Sequence, residues 1–229
     1  MKRSLAYSVL VIAMAFTAAC KKKKNETAET PAPEETPAPV VYPDYSKLKA
    51  GNYWIYGRFQ VNRDNSVTDL HQYDSSYVEK DTLIRNQVYY KLHKKDLLIG
   101  MNIVLYLRDS LNYIVSSNGK IIFSSEDFTT VFDDFYIVDM GNVPDTLYRV
   151  TAKMSDKDLI VTVPAGTFET SSMQSTFTSP PSRSVPGVPN PRFLNMRYAK
   201  NKGLVVETEY FYAGSPIIIE RRLIRYHVN

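Results

Sequence analysis

Beyond residue 50, apolar and polar residues alternate with a period of two, and this alternation is what most limits how the chain can fold. In NYWIYGRFQV (52–61), Tyr53, Ile55, Phe59 and Val61 fall on one face, and Trp54 and Tyr56 share the other with Arg58 and Gln60. MNIVLYLRD (101–109) sets Met101, Ile103, Leu105 and Leu107 together, and DLIVTVPAG (158–166) does the same for Leu159, Val161 and Val163. GLVVETEYFY (203–212) aligns Leu204, Val206, Thr208, Tyr210 and Tyr212, and the closing run aligns Ile218, Ile224, Tyr226 and Val228. A period of two is the repeat of a strand, whose successive side chains point to opposite faces.

Turn-forming triplets separate these runs: Arg63-Asp64-Asn65, Ser117-Asn118-Gly119, Pro164-Ala165-Gly166, Asn201-Lys202-Gly203 and Ala213-Gly214-Ser215. Strands spaced by turns, without a strand–helix rhythm, predict an all-β fold. The expected form is an antiparallel curved sheet of about eleven or twelve strands, either a half-barrel or a sandwich. Helix is scarce, with short turns expected near Tyr45–Ala50 and Ser125–Val131.

Cys20 is the one cysteine of the chain. The domain expected over 44–229 therefore has no disulfide and relies on its core. At that length it buries roughly 70% of the surface its unfolded chain exposes.

The first 19 residues read as an export signal: Lys2 and Arg3, an apolar run over 5–16, then the small residues Thr17, Ala18 and Ala19. The apolar run is too short for an ordinary membrane-spanning helix. Ala18-Ala19-Cys20 resembles the bacterial lipobox, which implies that Cys20 is lipidated and becomes the first mature residue. Residues 20–43 then hold the lipidated cysteine, four lysines (21–24) and a Pro/Glu-rich tether. Such a composition cannot bury enough surface to offset its ordering entropy. Semi-extended at about 3.1 Å per residue, residues 25–41 reach some 50 Å. The expected partner of Cys20 is a membrane, with the outer membrane, periplasmic face, as the expected location.

From residue 40 onward the chain holds 22 basic and 20 acidic residues. That near balance excludes a nucleic-acid surface. The segment TSPPSRSVPGVPNPR (178–192) has five prolines, two arginines and no acid. It cannot be a central strand, and it reads as a long loop, either mobile or a cover over a site.

Few residues offer chemistry. His71, His93 and His227 are far apart and match no metal-ligand spacing. GxSxG and glycine-rich phosphate loops are absent. Asp133-Asp134, with Asp139 and Asn142 nearby, is the one acidic group that invites a calcium or sugar reading. A solvated turn is the simpler account of it. Three Asp-Ser/Thr-Leu triplets (81–83, 109–111, 145–147) resemble a bacterial O-glycosylation site. No metal, cofactor or catalytic residue is expected. Aromatics are the richer resource, and Trp54, Tyr56, Tyr106 and Tyr210 are the candidate ligand-binding residues.

VTVPAGTFET (161–170) followed by RYAKNKGLVVETEY (197–210), with GNYWIY (51–56) upstream, resembles motifs of bacterial secreted and lipid-anchored protein families of unknown function. The resemblance covers about a third of the chain. It implies a curved all-β domain and no reaction. Thr170 stands where those families often have a cysteine, and Asn201-Lys202 precede Gly203 where a small residue is common.

The sequence thus leads to a lipid-anchored envelope protein that binds an apolar or amphipathic molecule without catalysis. A structural or interaction role without a ligand cavity is the alternative, and a sugar-directed hydrolase built on Asp133 or Asp134 ranks third.

Overall fold

Alternating runs become strands wherever the chain is described. The computed structural model describes residues 40–229 except 97–99 and 142–144. Cys20 and the export segment lie outside the described residues, as does Asn142. The strands are β1 (Tyr53–Val61), β2 (Val67–Ile84), β3 (Gln87–Asp96), β4 (Met101–Ser110), β5 (Tyr113–Ser116), β6 (Ile121–Ser124) and β7 (Asp133–Asp139). They continue with β8 (Asp145–Met154), β9 (Leu159–Val163), β10 (Gly166–Thr178), β11 (Arg192–Ala199), β12 (Gly203–Phe211) and β13 (Ile218–His227).

All thirteen belong to one antiparallel sheet, one or two more than the sequence suggested. The order is β6-β5-β4-β3-β2-β1-β13-β12-β11-β10-β8-β7, with β9 pairing β10 off this path. The fold is therefore two meanders, joined where β1 pairs with β13. The long β10 is shared: Gly166–Thr170 pairs with β9 and Met173–Thr178 with β8.

The sheet curls until distant strands touch. Lys94 of β3 reaches Glu207 of β12 at 2.6 Å, across three intervening strands. Phe123 of β6 packs on Tyr198 of β11 at 4.8 Å between ring centroids. The Ser124 amide points at Met154 Sδ at 3.4 Å, and Lys120 meets Asp133 at 2.6 Å, so the two edges of the sheet approach each other. One sheet wrapped on itself is a half-barrel and not a sandwich. Its core is the concave face.

All five expected turns connect strands. Asn65 (φ 62°) and Asn201 (φ 60°) take the left-handed conformation that asparagine tolerates. Gly203 (φ 91°) is constrained twice. A Cβ there would stand 2.9–3.1 Å from the Trp54 indole, whose Nε1 donates to the Lys202 carbonyl at 2.6 Å. The YAKNKGLV and GNYWIY motifs thus meet in space.

Neither expected helical turn forms. Around 45–50, the Asp44 carboxylate accepts the amides of Ser46 (3.0 Å) and Lys47 (2.8 Å). Around 125–131, Ser124 Oγ accepts the Glu126 and Asp127 amides, and Asp127 accepts those of Thr129 and Thr130. Short polar side chains take the amides that would start a helix. The only helical turn among the described residues is a 3₁₀ turn at Pro181–Arg183.

Two predicted faces are broken by β-bulges. In β12, Tyr198 stands opposite Leu204 but Arg197 opposite Val206, so Leu204 and Val206 lie on opposite faces. In β13, the buried face is Ile219, Arg221 and Leu223. Register slips at Ile224, after which Tyr226 pairs with Trp54 and packs on the core. The predicted face of Ile218, Ile224, Tyr226 and Val228 holds only beyond the bulge.

Candidate functional site

The concave face holds a cavity of about 130 Å³. Trp54 and Tyr56 line it from β1, Leu105 and Leu107 from β4, and Tyr198 and Leu204 from β11 and β12. Trp54 (3% exposed) and Tyr56 (1%) each remove 150–250 Å² from water, on the order of 4–6 kcal/mol of hydrophobic stabilisation apiece. Their polar tips are already satisfied by backbone carbonyls, Trp54 by Lys202 and Tyr56 by Leu204 at 2.9 Å. They therefore offer it only their rings. Leu48 and Ser46 also line it, on a segment tied down by the Ser46 hydroxyl donating to Asp109 at 2.6 Å and the Asn201 amide donating to the Asp44 carbonyl at 2.7 Å. Burial pushes the Asp109 carboxyl up.

A second part of the lining is charged: Lys94, Glu207 and Arg221 are the cavity-side members of a larger buried network. Arg221 is fully buried, and its guanidinium lies 4.2 Å from the Tyr56 ring centroid. It donates to Glu207 at 2.8 Å, to Ser76 at 3.2 Å and to Asp74. Arg58 donates to Asp74 at 2.5 Å and to Glu209 at 3.0 Å. Lys94 completes the group by donating to Glu207. Three cations thus meet three carboxylates, contributed by β1, β2, β3, β12 and β13, and their formal charges cancel. Isolated charges in such a place would be very costly, so cancellation is a condition of burying them.

The two glutamates differ. Burial raises the carboxyl of Glu207, but Lys94 and Arg221 outweigh it and hold the group below the usual carboxylate range. Burial also raises Glu209, and there Arg58 and Arg221 do not fully offset it. Arg221 Nε is 3.5 Å from Glu209 Oε1, without a hydrogen bond. Burial pushes the Tyr56 and Tyr198 hydroxyls far up, so both stay neutral. Lys94 and Glu207, with 18% and 12% of their side chains exposed, are where this charged wall meets solvent.

Of the four candidate aromatics, Trp54 and Tyr56 are in the lining and the other two are not. Tyr106 lies between Leu105 and Leu107, which line the cavity, so the period of two sends it to the outer face beside Lys91. Tyr210 follows a bulge at Thr208/Tyr210 and stacks edge-on against Tyr212 at 5.6 Å, with its hydroxyl pushed up to about 12 by burial and by Tyr212. The alternation groups Arg58 with Trp54 and Tyr56, and this is the one sequence signal of the charged wall. Asp74, Lys94, Glu207, Glu209 and Arg221 carry no comparable signal.

The other candidates do not converge. Asp133 pairs with Lys120, while Asp134 is held by Arg149 at 2.6 and 3.0 Å, which lowers its carboxyl. As neighbours on a strand they point to opposite faces. His93 bonds Glu79 at 2.6 Å and stacks on Tyr77 at 4.6 Å, on the outer face. Among the described residues, no group of three or more His, Cys, Asp or Glu is placed to hold a metal. The proline-rich segment links the paired strands β10 and β11. It is fastened by Arg183 to Asp145 (2.9 Å) and by Asn190 to the Ser179 carbonyl (3.0 Å), and none of it lines the cavity.

No protein-family model and no curated protein matches the chain. Two solved structures are similar in outline. One, from Bacteroides fragilis, is described as an exported protein with a YmcC-like fold; it is 12% identical, covers 81% of this chain and 99% of its own, and has a TM-score of 0.44. The other, from Parabacteroides distasonis, is described as a lipoprotein; it is 13% identical, covers 82% of this chain and 100% of its own, and has a TM-score of 0.45. At these values the likeness carries nothing about ligand or activity.

Proposed function

We propose that the chain is a lipid-anchored cell-envelope protein whose half-barrel binds the apolar part of a small molecule in its concave face, without catalysing a reaction. The anchor is Cys20 in its lipobox-like setting, with the outer membrane, periplasmic face, as the site of attachment. The observation that carries the binding reading is the 130 Å³ space bounded by Trp54, Tyr56, Leu105 and Leu107. An apolar cavity of about 150 Å³ accommodates benzene, whereas sites for drug-sized molecules run from about 300 Å³. The size thus favours one ring or a short aliphatic segment over a whole lipid chain.

The test is native mass spectrometry of the gently purified Cys20→Ser chain, with solvent extraction of what co-purifies. A stoichiometric small adduct that extracts into apolar solvent supports the reading. Adducts that remain when Leu107→Phe fills the cavity would place binding elsewhere.

One observation favours an interaction role as the second reading. Strand β7 is an edge, paired only with β8 among the described residues, and it exposes Phe135 (44%), Tyr136 (61%) and Val138 (42%). A bare apolar edge invites strand pairing with a partner protein. Crosslinking from position 136 in the intact envelope, with capture of a discrete partner, is its test.

A further inference from the structure

The charge balance of the network that reaches the cavity through Lys94, Glu207 and Arg221 restricts what the cavity takes. We infer that its ligand is a small primary amine with an apolar body, and that Lys94 is a tethered stand-in for that ligand's ammonium group. The inference rests on the proposed binding role and names the chemical class.

The reason is charge conservation. The buried network is neutral as built, with Arg58, Lys94 and Arg221 against Asp74, Glu207 and Glu209, and of these Lys94, Glu207 and Arg221 line the cavity. A ligand carboxylate would add a fourth negative group beside Glu207, which its neighbours already hold ionised. A neutral ligand would gain from the rings but make no use of the charged wall. An ammonium can replace Lys94 on Glu207 cation for cation, leaving the buried sum unchanged.

Lys94 is built to yield. It makes one bond to the network, to Glu207 Oε1 at 2.6 Å. Its side chain is 18% exposed, on a flexible stem that reaches water by rotation. Arg221 cannot exchange in this way, being fully buried and bonded to three partners. Glu207 keeps Arg221 on its other oxygen at 2.8 Å, so it stays fixed and charged while the cation on Oε1 is exchanged. The apolar wall of Trp54, Tyr56 and Leu105 would receive the ligand's body, and aromatic faces favour a nearby cation.

Trp54 is the only tryptophan of the chain and lines the cavity, so its fluorescence reports occupancy. Benzylamine, benzyl alcohol and benzoate would be titrated into the Cys20→Ser chain and into its Lys94→Met and Lys94→Met/Glu207→Gln forms. We expect Lys94→Met to tighten benzylamine by on the order of tenfold, because no built-in cation competes. Benzyl alcohol should change little, benzoate should bind most weakly, and Glu207→Gln should erase the amine preference. Equal binding of benzylamine and benzyl alcohol by Lys94→Met, or no gain over the unsubstituted lysine, would overturn the amine assignment while leaving an apolar site intact. Binding of none of the three would count against the cavity as a binding site altogether. If Lys94→Met does not fold, Lys94→Gln removes the charge while keeping a donor for Glu207, and the same ranking is expected.

Discussion

Arg58 and Arg221 stand directly opposite each other on β1 and β13, and Asp74 accepts a hydrogen bond from each. Like charges at opposed positions of a sheet repel, and here they do so inside the core. Asp74 between them and Glu209, 3.0 Å from Arg58 and 3.5 Å from Arg221, make the pairing tolerable. The half-barrel is therefore held in part by a polar knot joining the two meanders where they meet.

Breaking that knot should be expensive. Arg221→Met leaves Asp74, Glu207 and Glu209 facing only Arg58 and Lys94, and removing one partner from a buried ionic group costs about 3–5 kcal/mol. For a chain of this size that lowers the melting temperature by roughly 10 °C. Arg222→Met, which removes a single ion pair with Glu220 and a contact with the Phe59 ring on the other face of β13, should cost less. Thermal unfolding followed by circular dichroism separates the two.

Gly203 and Gly119 form a controlled comparison. Both have φ near +90°, at 91° and 88°, but a Cβ meets Trp54 at Gly203 and nothing at Gly119. Gly119→Ala should cost about 1 kcal/mol for backbone strain alone. Gly203→Ala should cost a further 1–3 kcal/mol, as is typical of overpacking, and shift Trp54 emission. Urea unfolding of both variants checks the difference.

The two neighbouring glutamates should answer pH with opposite slopes. Glu207 is depressed in the fold, so its stabilisation is full above its unfolded value near 4.5 and is lost as pH falls through the lower folded value. Glu209 is raised, so its contribution is full below about 4.5 and is lost as pH rises through the higher folded value. Relative to the parent chain, Glu207→Gln should become more destabilising as pH rises toward about 4.5, and Glu209→Gln less destabilising as pH rises above it. Denaturant unfolding across that range shows whether the slopes differ in sign.

Membrane attachment should depend on one atom. Cys20→Ser should move the protein from the membrane to the soluble fraction, and the N-terminal peptide of the parent should carry acyl chains in mass spectrometry. A single acyl chain holds only marginally, so a stably anchored parent should carry more than one.

Much of the architecture was legible because a period of two and five turn triplets survive in the sequence. Trp54 and Tyr56 were legible as neighbours on one face, and Arg58 fell on that face with them. The hidden part depends on curling and on bulges. The bulge beside Leu204 reverses the facing of the later β12 residues, and so brings Glu207 inward. A similar slip at Ile224 makes the buried residues of β13 Ile219, Arg221 and Leu223, where alternation favoured their neighbours. An inward arginine also contradicts the ordinary pattern until its partners are known, and those come from strands far apart in sequence. Tyr106 was misplaced for a simpler reason: tyrosine suits either face of a strand, and Leu105 and Leu107 on either side of it took the interior.

Occupancy of the concave face is tested most directly by titrating the Cys20→Ser chain with toluene while following Trp54 emission. The account predicts a saturable change at one equivalent, abolished when Leu107→Phe fills the cavity. A change that rises without saturation, equal in both proteins, would contradict it.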